Sequence, residues 1–316
     1  VVVLMVALGQ DPPSDDTGTY CRARAKLSEK VIRRLMCETA DACEHAIPED
    51  WLWRGRSVKL VDGSTISMPD TEANQEAYPQ HGCQEEGVGF PIARIVVMLS
   101  LATGMACDLA IAPYQGKQTG ETALFRQLMG RLSLGDIVVV DRYHCTYFMI
   151  CLLMELGVDF VVRLHRQRKA DFRRGRRLGQ GDHVVTWTRS RRPEWMDEAT
   201  YQRMPETIEV REVAVQVKEP GFRVDSFVVV TTLLDAEEYT QEDVAELYHK
   251  RWLVELDLKS IKCTMGMGIL RCKTPHMVHQ EIWTCLLAYN LIRKVNLEAA
   301  LQAGLSPRQL SVTAAL

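Results

Sequence analysis

Four consecutive β-branched residues, Ile137-Val-Val-Val140, stand between two stretches of helical periodicity, at about 119–132 and 147–156. A run with no polar alternation suits a strand buried on both faces, and a strand entered and left through helices pairs in parallel with its neighbours. That one tract asks for a central sheet covered by helices on both sides. Upstream lie the strand-like Val58-Lys-Leu-Val-Asp62, read as ending in a Gly-Ser turn, and the apolar stretch 92–101. The latter leads through Gly104 into 106–112, the pattern of a hairpin.

Strand, strand, strand, helix, strand, helix is the order of a ribonuclease-H-like core, so the expected fold class is α/β, a mixed sheet flanked by helices. Asp62 and Asp141 fall at the ends of its first and fourth strands. A β-rich stretch follows at about 158–235, with 210–217 and 227–234 as its clearest strands. A helix at about 241–264 and another at about 277–299 close the core. Before residue 50 the chain reads as helical: after the Asp11-Pro-Pro-Ser-Asp-Asp16 break, 20–46 carries Leu27, Val31, Leu35 and Ala42 at helical spacing. The division expected is a helical segment at 1–50. The core spans 51–157 and 239–300, split by a basic, β-rich insertion at 158–238, and an incomplete end covers 301–316.

At 316 residues, 47% hydrophobic and 25% charged, the chain has the make-up of an ordinary globular protein, and its net charge of −3 gives no overall sign of a nucleic-acid binder. The charge is unevenly spread. Arg163, Arg166, Arg168, Lys169, Arg173, Arg174, Arg176 and Arg177 meet a single acid, Asp171, within the same run. Such a block is a candidate phosphate-binding surface. The ten cysteines show no C-x-x-C pair and no zinc-finger spacing, which fits reduced thiols in a cytosol. The opening Val1-Val-Val-Leu-Met-Val-Ala-Leu8 is far shorter than the roughly 20 residues of a membrane span. With no initiator Met before it, the expectation is a first element that has lost its beginning. Cytoplasmic placement with no membrane partner follows.

The most chemically loaded feature is a helical stripe. Tyr248, Arg251, Glu255, Lys259 and Lys262 fall on one side of a helix, where a core-facing stripe would be apolar. A carboxylate flanked by cations suits a metal ion gripping a phosphodiester. Two-metal phosphoryl transfer needs acidic ligands converging from different elements. Asp62 and Asp141 on neighbouring strands, with Glu255 on a helix packed across them, meet that need. Oxygen ligands with vacant water positions point to magnesium or manganese. Taken singly each acid has an ordinary reading: an Asp-Gly turn, a surface ion pair, an i,i+4 pair on a helix.

Tyr248-x2-Arg251-x3-Glu255-x6-Lys262 resembles the Tyr-Arg-Glu-Lys signature of the insertion-sequence-four family of DDE transposases at every spacing. Val61-Asp62-Gly63-Ser64-Thr65 and Gly135-Asp-Ile-Val-Val-Val-Asp141-Arg142 resemble the segments that hold the family's two aspartates. The resemblance runs from about residue 51 to 293 and departs at Tyr143-His144, where the family has a small residue and then an aromatic. It implies a metal-dependent DNA transposase that cleaves at terminal inverted repeats and joins 3′ ends to target DNA, with 51–157 and 239–300 as its catalytic core and 1–50 as an incomplete DNA-binding region. Asp62, Asp141 and Glu255 would bind two Mg2+ (or Mn2+) ions, and Tyr248, Arg251, Lys262 and Arg142 would contact DNA. Double-stranded DNA and a second copy of the chain, paired in the DNA complex, are the implied partners. The alternatives are a degenerate transposase that binds DNA without transposing and a stand-alone metal-dependent nuclease.

Overall fold

The computed structural model describes residues 17–85, 87–216 and 226–315; the apolar run at 1–8, the break at 11–16 and Val217 lie outside them. In chain order the elements are α1 (Thr17–Ala25), α2 (Glu29–Ala46), β1 (Val58–Ser67), α3 (Glu72–Ala77), β2 (Ile92–Ser100), β3 (Ala106–Pro113) and α4 (Glu121–Leu128). There follow β4 (Ile137–Val140), α5 (Tyr147–Glu155), β5 (Asp159–Arg163), β6 (Arg176–Gly179), β7 (Asp182–Thr188), α6 (Glu198–Arg203), β8 (Thr207–Gln216) and β9 (Ser226–Thr231). The last helices are α7 (Gln241–His249), α8 (Trp252–Lys259) and α9 (Pro275–Ala303).

Among the described residues nine strands join one mixed sheet, ordered β3-β2-β1-β4-β5-β9-β8-β7-β6. β1 pairs antiparallel with β2 and parallel with β4, which pairs parallel with β5. The β-rich stretch continues this sheet rather than forming another, because β9 runs antiparallel beside β5.

β4 shows why the Ile-Val-Val-Val tract has no polar member. Ile137 and Val139 enter a core with Leu60, Val97 and Val161, roofed by Val244 of α7, Val254 of α8 and Leu286 of α9. Val138 and Val140 enter a second core on the opposite face with Val61, Val96, Phe125 of α4 and Ile150 of α5. Each such side chain taken out of water contributes roughly 1.5–3 kcal/mol, so the centre of the sheet holds both helical layers.

Three sequence expectations change. β1 does not end at a Gly-Ser turn: Gly63, Ser64 and Thr65 stay paired with Val96, Ile95 and Arg94 of the longer β2. The helix expected at 20–46 is interrupted between Ala25 and Glu29, and its Leu27, Val31 and Leu35 are each more than 40% exposed. The face that packs on α9 and the sheet carries Ile32, Met36, Ala40 and Cys43 instead. The helix expected at 241–264 is divided at Lys250-Arg251, and its last five residues, Ser260–Thr264, form a π-helical turn.

Candidate active site

Val61 and Val140 form the last pair of the parallel β1–β4 ladder, so Asp62 and Asp141 stand one residue beyond it on adjacent strands. Neighbouring strands lie about 4.8 Å apart. Along β1 the even positions face α7–α9, since Leu60 and Ile66 belong to that core. Asp62 and Ser64 share this side by alternation, and α8 crosses it.

The side chains meet there. Arg251, just ahead of α8, donates from Nη2 to Oε1 of Glu255 at 2.7 Å. Its Nη1 stands 3.6 Å from Oδ2 of Asp62. One guanidinium thus bridges the first aspartate and the glutamate. Lys262, in the π-helical turn, donates from Nζ to Oγ of Ser64 at 2.9 Å. The Gly63 amide donates to Oδ1 of Asp62 at 2.9 Å.

Burial pushes the Asp62 carboxyl up to about 6; Arg251 and the Gly63 amide oppose the rise, and the Glu121 and Glu255 carboxylates add to it. Glu121, the first residue of α4, had no place among the sequence expectations. A Cβ placed on Gly63 would lie 2.4 Å from its Cδ, so the space left by the missing side chain is filled by the end of Glu121. Burial raises the Glu121 carboxyl too; Arg94 opposes this and Asp141 adds to it. An acid in the first turn of a helix is so common that sequence alone gives no signal.

Tyr248, the first residue of the stripe, is seated against the sheet. It is buried, its ring 5.4 Å from that of Phe227, and burial pushes its hydroxyl up to about 12. Arg251, Asp141, Arg163 and Arg142 are within its electrostatic reach. Arg163 ends β5 beside Asp141, its guanidinium 5.0 Å from the Phe227 ring centroid. Burial and the neighbouring Arg142 hold that guanidinium below the ordinary arginine range. Among the described residues, neither Arg142 nor Arg163 forms a salt bridge or a side-chain hydrogen bond, although the Asp141 carboxylate attracts Arg163. The basic run continues outward from here: Arg166, Lys169, Arg176 and Arg177 are exposed, and Arg168 lies 3.9 Å over Trp187.

At the departure from the family pattern, Tyr143 points to solvent and His144 is buried edge-on against Phe125. Burial lowers the His144 imidazole to about 4.

The donor set suits a hard divalent cation, being carboxylate oxygens from three elements. Among the described residues, however, no three acidic, His or Cys side chains converge closely enough to hold an ion as they stand. The gap between Asp62 and Glu255 is filled by the Arg251 guanidinium.

The profile of the family described as "Transposase DDE domain" matches residues 53–291, well over half of the chain. The chain is 26% identical over 295 residues to the transposase InsG for insertion sequence element IS4 of Escherichia coli (strain K12), covering 92% of this chain and 63% of that protein. It therefore spans less than two thirds of that relative's length. A shorter match, 38% over 65 residues, is to the putative transposase InsL for insertion sequence element IS186A of the same organism, covering 21% of this chain and 18% of that one. Among solved structures, the piggyBac transposase synaptic complex with hairpin DNA aligns at TM-score 0.47 and 9% identity over 82% of this chain and 50% of that one, too distant to carry an argument. With its profile match and its full Tyr248-Arg251-Glu255-Lys262 signature, the chain belongs to the transposase DDE domain family, in the insertion-sequence-four group.

Proposed function

We propose that this chain is the catalytic part of a cut-and-paste DNA transposase, cleaving at terminal inverted repeats and joining the freed 3′ ends to target DNA. The observation that carries the reading is the meeting of Asp62 and Glu255 around one cation, with Asp141 on the strand beside them. The strand order β3-β2-β1-β4-β5, with β2 alone antiparallel to both its neighbours, supports a ribonuclease-H-like core. On this reading β6–β9 are an insertion between Asp141 and Glu255.

Asp62, Asp141 and Glu255 would hold two Mg2+ or Mn2+ ions. Such ions, when bound, supply Lewis acidity to both the attacking and the leaving oxygen of an in-line displacement. The protein's part is to bind and orient. Arg142 and Arg163, held in no salt bridge among the described residues, lie beside Asp141 to take phosphate oxygens. Lys262 approaches from the other side through Ser64. Tyr248, within electrostatic reach of Arg142, Arg163 and Asp141, would help to steady an unstacked base. The exposed cations of 166–177 extend the grip along the backbone of double-stranded DNA. Pairing two element ends calls for a homodimer in the DNA complex, formed in a bacterial cytoplasm.

The test is strand chemistry. Full chain, Mg2+ and a labelled duplex ending in the element's inverted repeat are expected to give 3′-end cleavage and joined products on a denaturing gel, both lost in Asp62→Ala and Glu255→Ala. Binding without cleavage would favour a degenerate copy, and cleavage without joining a nuclease.

A further inference from the structure

Arg251 is the one cation ion-paired with both Asp62, at 3.6 Å, and Glu255, at 2.7 Å, among the described residues. The other cations nearby are placed elsewhere: Lys262 on Ser64, Arg163 over Phe227 beside Asp141. The Arg251 and Asp62 side chains are mostly shielded, 19% and 20% exposed, so that half of the bridge is little screened by solvent, while Glu255 at 37% is screened more. Without a positive charge between them, two carboxylates this close would repel and splay. The i,i+4 spacing of Arg251 and Glu255 fixes one end of the bridge and β1 the other.

A divalent ion needs the same carboxylate lone pairs, at about 2.0–2.1 Å for magnesium. A guanidinium cannot remain among them, since both are cations competing for the same oxygens. It can leave at little cost only if another anion receives it, and a phosphodiester presents its fork with two oxygens at once.

We propose that Arg251 is the resident counter-cation of this acidic site, holding Asp62 and Glu255 together until a DNA phosphate draws its guanidinium away and a divalent ion takes its place. The inference rests on reading Asp62 and Glu255 as metal ligands. It makes Arg251 a positioning residue with two successive partners, and it couples metal loading to DNA. Free protein binds the ion weakly, because Arg251 competes. DNA-bound protein binds it tightly. By reciprocity, the ion tightens DNA by the same factor, and couplings of this kind run to about 5–150-fold.

The experiment titrates Mn2+ into the full chain, following the free ion by electron paramagnetic resonance. Wild type, Arg251→Gln, Arg251→Lys and Asp62→Asn are compared with and without an inverted-repeat duplex, and Mn2+ bound by DNA alone is subtracted. Without DNA, Arg251→Gln is expected to bind Mn2+ at least about 5-fold more tightly than wild type. DNA is expected to tighten Mn2+ binding in wild type and to have little effect in Arg251→Gln. Arg251→Lys, a point charge on a shorter reach, falls between the two and serves if the glutamine variant folds poorly, which thermal melting reports. Equal or weaker Mn2+ binding by folded Arg251→Gln and Arg251→Lys in the absence of DNA overturns the proposal. Mn2+ binding that ignores Asp62→Asn in every form instead overturns the metal-site reading beneath it.

Discussion

At the scale of single residues, the environment of Asp62 explains more than its identity does. Asp-Gly after an apolar run reads as a turn, because Gly there ordinarily supplies a positive φ. Here Gly63 is kept in the strand and its missing side chain makes room for Glu121. Gly63→Ala is therefore expected to fold and to lose under about 1 kcal/mol in urea denaturation, because the flexible end of Glu121 gives way, and to cleave DNA poorly because Glu121 is displaced from the site. The Asp62 carboxyl, raised to about 6, gives a second expectation. A carboxyl whose folded value lies above its unfolded one binds more protons in the folded state between the two values. Stability in the metal-free protein then falls as pH rises from about 4 to about 6 through this group. Asp62→Asn should raise the metal-free Tm at pH 7 by a few degrees and leave it little changed at pH 4; a variant less stable at pH 7 contradicts the cause assigned here. Removing Glu255 as Ala should cost cleavage roughly a thousandfold or more, since a metal clamp contributes several kcal/mol to such a transition state.

Elements were legible where burial leaves a mark on composition. β4 could be read from four residues because both its faces are covered, and the β2–β3 hairpin from Gly104, whose φ of 74° closes it. The helix at 241–264 was legible as a helix but not as three pieces. No Gly or Pro marks the division; the chain tightens at Arg251, whose amide bonds to the Tyr248 carbonyl, and widens into the π-helical turn that carries Lys262. These departures are set by what the helix packs on. Tyr248 is seated against Phe227 of β9, and Asp257 of α8 accepts from Tyr289 and Arg293 of α9 and from Arg308 beyond it. The α2 stripe failed for a related reason: Leu27, Val31 and Leu35 fit the helical period as well as Ile32, Met36 and Ala40 do, and only the position of α9 decides between them. Asp257 is nearly fully buried with its two arginines, so Asp257→Ala would strand their charges. It is expected to lose about 3–5 kcal/mol in urea denaturation, against a surface ion-pair variant such as Arg34→Ala that loses under about 1 kcal/mol.

For the molecule as a whole, the sheet is the device that brings distant sequence together. Asp62 and Asp141 are neighbours because β1 and β4 pair in parallel, and Arg163 joins them because β5 is next in order. From that edge the basic run leads out over β6 and β7, so the candidate site opens onto cationic surface even though the whole chain carries a net charge of −3. Arg166, Lys169 and Arg176 are exposed there. Their replacement by Ala should weaken DNA binding at low salt and flatten the plot of log affinity against log salt by about 0.9 for each phosphate left without its cation. An unchanged slope in anisotropy titrations would remove this surface from the DNA path. The central claim is that Asp62, Asp141 and Glu255 together hold the metal at which DNA is cut. It is tested most directly by anomalous diffraction at the manganese edge from crystals of the chain with Mn2+ and an inverted-repeat duplex. The expected result is two peaks about 3.5–4 Å apart, bound by these three carboxylates, with the Arg251 guanidinium on a phosphate. Manganese bound away from Asp62 and Glu255, with Arg251 still bridging them, would contradict it.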